Sequence, residues 1–232
     1  APEDVAPGKY DDSVTVMVAL LKYGCGMPFH RLAKLQNNMG MPVPASTQWE
    51  LLDASVGIVS PVFETLCRLA AQGDVLHNDD TTMKILDELR KQDPESTRKG
   101  IFTSGIVSIY KDHKIALFMT GHDHAGENLE KILEKRNTGL PPPLQMCDGA
   151  KLNIPKKLAT ILCNCLTHGR RQFVDVVHAF PEECHKIIEL IGKVYHHDDL
   201  AKDQRLGPEE RLLLHQEKSG PVMAELETWC RR

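Results

Sequence analysis

The sequence predicts a mixed α+β or α/β core with helical segments before and after it. Three observations predict this. Apolar residues recur at helical spacing over residues 13–72, the period shortens to that of strands at Gly73, and helical spacing returns after Phe180. The middle stretch runs strand, hairpin, helix, strand, strand, helix, which suits an α/β sandwich with an antiparallel hairpin better than repeated βαβ units. With 232 residues, 41% hydrophobic and 26% charged, the chain can bury a substantial core and is not of disordered composition. No apolar run reaches the roughly 18 residues that span a bilayer, so no membrane partner is expected. The start, Ala1-Pro2-Glu3-Asp4, has neither the basic nor the apolar region of a secretory signal.

Residues 1–12 read as a disordered tail, with Pro2, Pro7, Gly8 and little apolar content. Val14, Met17, Val18 and Leu21 then mark one face of a helix ending near Gly24. A second helix follows Pro28, with Phe29, Leu32 and Leu35 as its stripe and Asn38 and Gly40 at its end. After Pro42 and Pro44, Ser46 reads as the N-cap of a third helix bearing Trp49, Leu52 and Val56. Ser60-Pro61 reads as a further start, with Phe63, Leu66 and Leu69 inside. Val75 to Asp79 is a short strand, and residues 101–110 and 114–120 form a hairpin about Lys111-Asp112-His113. Glu127 to Arg136 is a helix with Leu129, Ile132 and Leu133 inward. Residues 144–148 and 159–165 are strands, and residues 168–180 a helix. Pro181, Pro208 and Ser219-Gly220-Pro221 each open another, the first with Cys184, Ile187, Ile188, Ile191 and Val194 on one side.

Two aspartates stand out by position. Asp79 and Asp148 each end a short predicted strand, and carboxylates at adjacent strand ends meet over one edge of a sheet. Such a pair repels itself unless a divalent cation neutralises it, which points to Mg²⁺ or Mn²⁺ and to phosphodiester chemistry on a two-metal site. Strand-end aspartates also cap turns and bind nothing, and the pattern alone leaves both readings open. Arg170 and Arg171, at the start of a helix, suit phosphate contacts or equally a solvated basic turn. Residues 28–56 have helix-turn-helix character, with Arg31 and Lys34 on the first helix and Thr47 and Gln48 at the start of the second, where side chains reach base edges; plain helix packing gives the same pattern. His122-x-His124 and His196-His197-Asp198-Asp199 read as structural, the latter capping a helix end. Seven irregularly spaced cysteines without a Cys-x-x-Cys pair exclude a zinc ribbon or disulfide framework, so mostly buried thiols are expected. A net charge of −4 excludes a wholly basic coat protein and leaves room for a local basic patch.

Ordered phrases then identify a family. They are Leu20-Leu21-Lys22-Tyr23-Gly24, Met27-Pro28-Phe29-His30-Arg31-Leu32, Pro44-Ala45-Ser46-Thr47-Gln48-Trp49 and Leu76-His77-Asn78-Asp79-Asp80-Thr81. Gln145-Met146-Cys147-Asp148, Asn164 to Phe173 and His215 to Met223 follow. In this order, from about Ser13 onward, they closely resemble the transposases of the insertion sequence 66 family. The resemblance implies a ribonuclease-H-like catalytic core at 73–180, a helical unit at 13–72 and a helical insertion at 181–232. It implies an Asp-Asp-Glu site in which Asp79 and Asp148 match the first two metal-holding catalytic residues. It further implies Mg²⁺ or Mn²⁺ as cofactor, DNA as partner, a homo-oligomer when complete, and work in the bacterial cytoplasm at the nucleoid. The family's third residue is a Glu after an Asp-Asn-Asn phrase downstream of Ser219-Gly220-Pro221, which this sequence does not contain. The chain is therefore expected to be a central fragment with two of three ligands, inactive or nearly so alone. The rival expectation is a non-catalytic DNA-binding or interaction remnant.

Overall fold

A computed structural model describes residues 10–85 and 100–231. The chain divides into two compact units, Ala1–Arg68 and Leu69–Arg232. Residues 1–9 of the expected tail lie outside the described residues, as do residues 86–99, whereas Asp12 at the end of that stretch already opens a helix.

The first unit is helical. Helix α1 (Asp12–Ala19) runs into a π-helical turn (Leu20–Gly24), followed by α2 (Phe29–Asn38) and α3 (Ala45–Ala70). Asp11 caps α1, its carboxylate accepting the Ser13 N–H at 2.8 Å. Val18, Leu32 and Leu52 form the core, with Val14, Leu21, Met27 and Phe29 packed against it. Met17, Leu35, Trp49 and Val56, expected inward, are exposed, because each helix buries only a narrow seam here. The seam takes in two polar residues instead. Gln48 is fully buried and donates its amide to Val43 O at 2.8 Å and Gln36 Oε1 at 3.1 Å. Helix α3 starts at Ala45, so Ser46 is not its cap, and it continues through Ser60-Pro61 rather than restarting there. Pro61 deprives the Gly57 carbonyl of its donor, but both residues are exposed, where water can take the place of the lost hydrogen bond.

The second unit carries a five-stranded sheet of order β3-β2-β1-β4-β5. Its strands are β1 (Val75–Met83), β2 (Ile101–Tyr110), β3 (His113–Gly121), β4 (Leu144–Cys147) and β5 (Ile161–Asn164). The first three are antiparallel neighbours, while β4 pairs parallel to β1 and β5 parallel to β4. A tight connection at Lys111, in the left-handed region at φ 53°, closes the β2–β3 hairpin. Side chains alternate between faces. Leu76, Ile106, Ser108, Ile115 and Leu117 are buried on one face, which α4 (Ala125–Leu133) covers with Leu129, Ile132 and Leu133. The other face, with His77, Asp79, Gly105 and Phe118, is open, and Phe118 is 68% exposed.

Beyond β5 come α5 (Leu166–Val176), α6 (Pro181–Asp203), α7 (Pro208–Leu214), a π-helical turn (His215–Ser219) and α8 (Gly220–Cys230). Helix α6 packs against α5 and α8 and buries Cys184, Ile187, Leu190 and Ile191. His196 and His197 lie inside α6 rather than capping its end, because the helix continues to Asp203. His197 Nδ1 and His215 Nδ1 both meet Ser219 Oγ, at 3.1 and 3.0 Å, joining α6 to the π-helical turn. None of the seven cysteines forms a disulfide, and only Cys67, Cys147 and Cys184 are buried, so the expectation of mostly buried thiols does not hold. Among the described residues no helix is long and apolar enough to cross a membrane.

Candidate active site

The site begins with strand register. Parallel β1 and β4 pair Val75 with Leu144, Leu76 with Gln145 and His77 with Met146. Two residues beyond the last pair come Asp79 and Asp148, which line one cleft on the open face of the sheet. Asp148 follows the last residue of β4, but Asp79 lies within β1, not at its end as expected. Strand β1 runs on to Met83 because β2 is long enough to pair with Thr81, Thr82 and Met83.

Each carboxylate has one oxygen tied down. Asp79 Oδ1 accepts the Asp80 N–H at 2.9 Å. Asp148 Oδ1 accepts the Ala150 N–H at 2.9 Å and the Asn153 amide at 2.8 Å. No side chain among the described residues engages Oδ2 of either residue. The turn after Asp148 depends on Gly149, at φ 81°, where a Cβ would come within 2.9 Å of Asn164 Oδ1. Burial pushes the Asp148 carboxyl up. The hydrogen bonds from the Ala150 N–H and the Asn153 amide, with His168 close by, outweigh it, so its pKa lies below the ordinary value. The Cys147 thiol is pushed up, first by burial and then by the charges of Asp148 and Asp79, which keeps it neutral.

A buried polar network supports Asp148 from behind. Gln145 donates to Asn78 Oδ1 and to Asn153 O, both at 2.8 Å, and Asn78 donates to Asn153 O at 2.7 Å. Thr160 closes the set on Gln145 Oε1 at 2.7 Å. The Asn153 that carries this network is the residue that holds Asp148. Asp80, beside Asp79 in sequence, points to the opposite face and is structural. It accepts Ser104 Oγ at 2.7 Å, the Ala125 N–H at 2.9 Å and His124 Nδ1 at 3.0 Å, which ties the start of α4 to β1. His124 thus has the structural role expected of it.

The cleft over the two aspartates has a volume of about 240 Å³ and is lined also by His77, Gly105, Met146, Cys147, Cys165 and His168. Two carboxylates with free oxygens are hard donors that suit Mg²⁺ or Mn²⁺. Among the described residues no third His, Cys, Asp or Glu joins them in a cluster able to hold an ion. Arg170 and Arg171 are exposed on α5, whose first turn carries His168 into the cleft. Arg31 and Lys34 are exposed on α2 of the first unit. Thr47 is half-buried, and Gln48 corrects an expectation: its side chain is spent inside the helical core and does not reach outward for a base edge. Sequence reading passed over Asn153 and His168 as site residues. His168 stood within a quoted phrase, whereas Asn153 has no local signal.

A family model described as "Transposase IS66 family" matches residues 7–232. No curated protein matches the chain.

Proposed function

The chain belongs to the IS66 transposase family, and from that premise we propose that it is the metal-holding part of an enzyme that cuts and joins DNA. The observation that carries the proposal is that Asp79 and Asp148, each two residues beyond the last β1–β4 pair, line one cleft with an oxygen of each unengaged. The strand order, with an antiparallel hairpin on one side of β1 and parallel strands on the other, supports a ribonuclease-H-like core. Asp79 and Asp148 would hold Mg²⁺ or Mn²⁺. A divalent cation there supplies positive charge for the phosphodiester and makes an attacking hydroxyl easier to deprotonate. The chain's own part is to fix the two carboxylates: Asn153 and the Ala150 N–H hold Asp148 ionised and oriented, and the Asp80 N–H holds Asp79. Arg170 and Arg171 on α5, and Arg31 and Lys34 in the helical unit, contact DNA phosphates. DNA as partner puts the work in the bacterial cytoplasm at the nucleoid, by a homo-oligomer.

One observation favours a second reading, in which the chain binds DNA without cutting it: the absence of a third metal-holding group among the described residues. Mn²⁺ titration followed by electron paramagnetic resonance, with a Mn²⁺-dependent nicking assay, separates the two. The enzyme reading expects Mn²⁺ binding that weakens at least tenfold in Asp79→Asn and in Asp148→Asn, with any nicking lost in both. Wild-type Mn²⁺ affinity in both variants, with DNA binding retained, leaves the second reading standing.

A further inference from the structure

We infer that His168 is a phosphate-contacting residue of the Asp79–Asp148 cleft, its Nε2–H donating to a non-bridging oxygen of the DNA backbone. The inference rests on the reading of that cleft as the DNA-processing site. A cleft walled by two carboxylates repels a phosphodiester, so a bound backbone needs donors on the cleft wall as well as a cation. His168 is placed to be one. It lines the cleft together with both aspartates. Its Nδ1 is shut away from water with no hydrogen-bond partner among the described residues. That is a cost with no return within the folded chain, and it leaves Nε2 as the only ring atom able to engage a ligand.

The arrangement argues against His168 as a metal ligand, since it forms no ion-holding cluster with the two aspartates. It also argues against a purely structural role, since neither ring nitrogen forms a hydrogen bond within the described chain that would fix the fold. Position on the chain explains the placement. Strand β5 ends at Asn164, the Cys165 N–H is held by Cys147 O at 2.7 Å, and α5 begins at Leu166. His168 is therefore delivered in the first turn of a helix that starts close to Asp148, with Arg170 and Arg171 just beyond Gly169. The protonated imidazole can make the contact, and so can the neutral tautomer that carries its proton on Nε2.

The test uses the 232-residue chain labelled with ¹⁵N-histidine. Its ring resonances are followed during titration with thymidylyl-thymidine and with the uncharged methylphosphonate-linked analogue, both in Mg²⁺. His168→Gln identifies the His168 signal. The expected result is a large His168 Nε2 shift with the phosphodiester and a much smaller one with the methylphosphonate, whose single non-bridging oxygen is an uncharged, weaker acceptor. In binding to a short DNA duplex, His168→Ala is expected to lose roughly tenfold in affinity. His168→Gln, which offers an amide donor, is expected to recover part of that loss, and Mn²⁺ affinity to stay within about twofold. A His168 shift on adding Mg²⁺ alone, with none from the dinucleotide, makes it a metal ligand and overturns the inference. Equal shifts with the charged and uncharged dinucleotides, or none with either, overturn it as well. Failure here with Mn²⁺ binding still lost in Asp79→Asn removes only His168 from the site. Mn²⁺ binding indifferent to Asp79→Asn and Asp148→Asn removes the metal site itself.

Discussion

At the scale of residues, Asp148 owes its charge to its neighbours. Burial alone raises its pKa, and two hydrogen bonds and a nearby His168 bring it down again. The Asn153 amide is the one of these that a single substitution removes cleanly, because Asn78 and Gln145 bind the Asn153 backbone carbonyl rather than its side chain. Asn153→Ala is expected to cost about 1–2 kcal/mol at neutral pH, the lower part of the range for a hydrogen bond to a charged group, since Asp148 is partly open to water. The pH dependence has a definite sign. A carboxylate with a lowered folded pKa contributes stability above its unfolded value, about 3.9, and loses it as pH falls through the folded pKa. The gap between wild type and Asn153→Ala is therefore full at pH 7 and closes under acid conditions, as Asp148 takes up a proton in both. Urea unfolding from pH 7 downward, as far as both proteins remain folded, checks this. A gap of constant size makes Asn153 a packing residue only.

At the scale of elements, the site depends on β1 and β4 being aligned, and Arg136 aligns them. Its Nη1 donates to Ala71 O at 2.7 Å and Gly73 O at 2.8 Å, just before β1. Its Nη2 and Nε reach Pro141 O at 2.8 and 3.3 Å, in the run of prolines that leads into β4. Burial pulls its pKa down, and the charge of Asp74 opposes that. Arg136→Met keeps much of the apolar stem and leaves three carbonyls without their donor. It is expected to cost about 2–4 kcal/mol, and Arg136→Lys, with no planar fork, to restore less than half. The measurements are the urea midpoint and, in protein still folded, Mn²⁺ affinity, which should fall because the two aspartates no longer stand in register. Unchanged Mn²⁺ affinity in folded Arg136→Met would show that the strand ladder holds the register unaided. The sequence reveals the strands through their period of two, and it reveals the two aspartates because each follows a short apolar run. It does not reveal the clamp or the Asn78–Gln145–Asn153 network, whose partners lie up to 75 residues apart. It also misleads locally. Gln48 looks like a surface residue at a helix start but fills a helical core too small to be wholly apolar, and Pro61 looks like a helix start but sits where water can replace the bond it removes.

At the scale of the whole molecule, the balance of charge constrains how DNA is held. A chain with net charge −4 gains nothing from its overall field in approaching a polyanion, so binding must come from local cations placed at the contact. Two candidate pairs are exposed, Arg31 with Lys34 in the first unit and Arg170 with Arg171 in the second. Counterion release makes them countable. Each phosphate contact contributes about 0.9 to the slope of log affinity against log salt on duplex DNA. If both arginines of α5 touch phosphates, Arg170→Ala/Arg171→Ala flattens that slope by about 2 and weakens binding most at low salt. The same reasoning applies to Arg31→Ala/Lys34→Ala, and combining all four substitutions adds the two decrements if the units contribute independently. Fluorescence anisotropy on a short duplex between 50 and 200 mM salt, the range over which such contacts show most clearly, measures each slope. A slope untouched by the α5 pair and flattened by the α2 pair would assign phosphate binding to the helical unit. The cleft would then receive DNA already held by that unit. The reverse result would make α5 the rail that carries the backbone past Asp148.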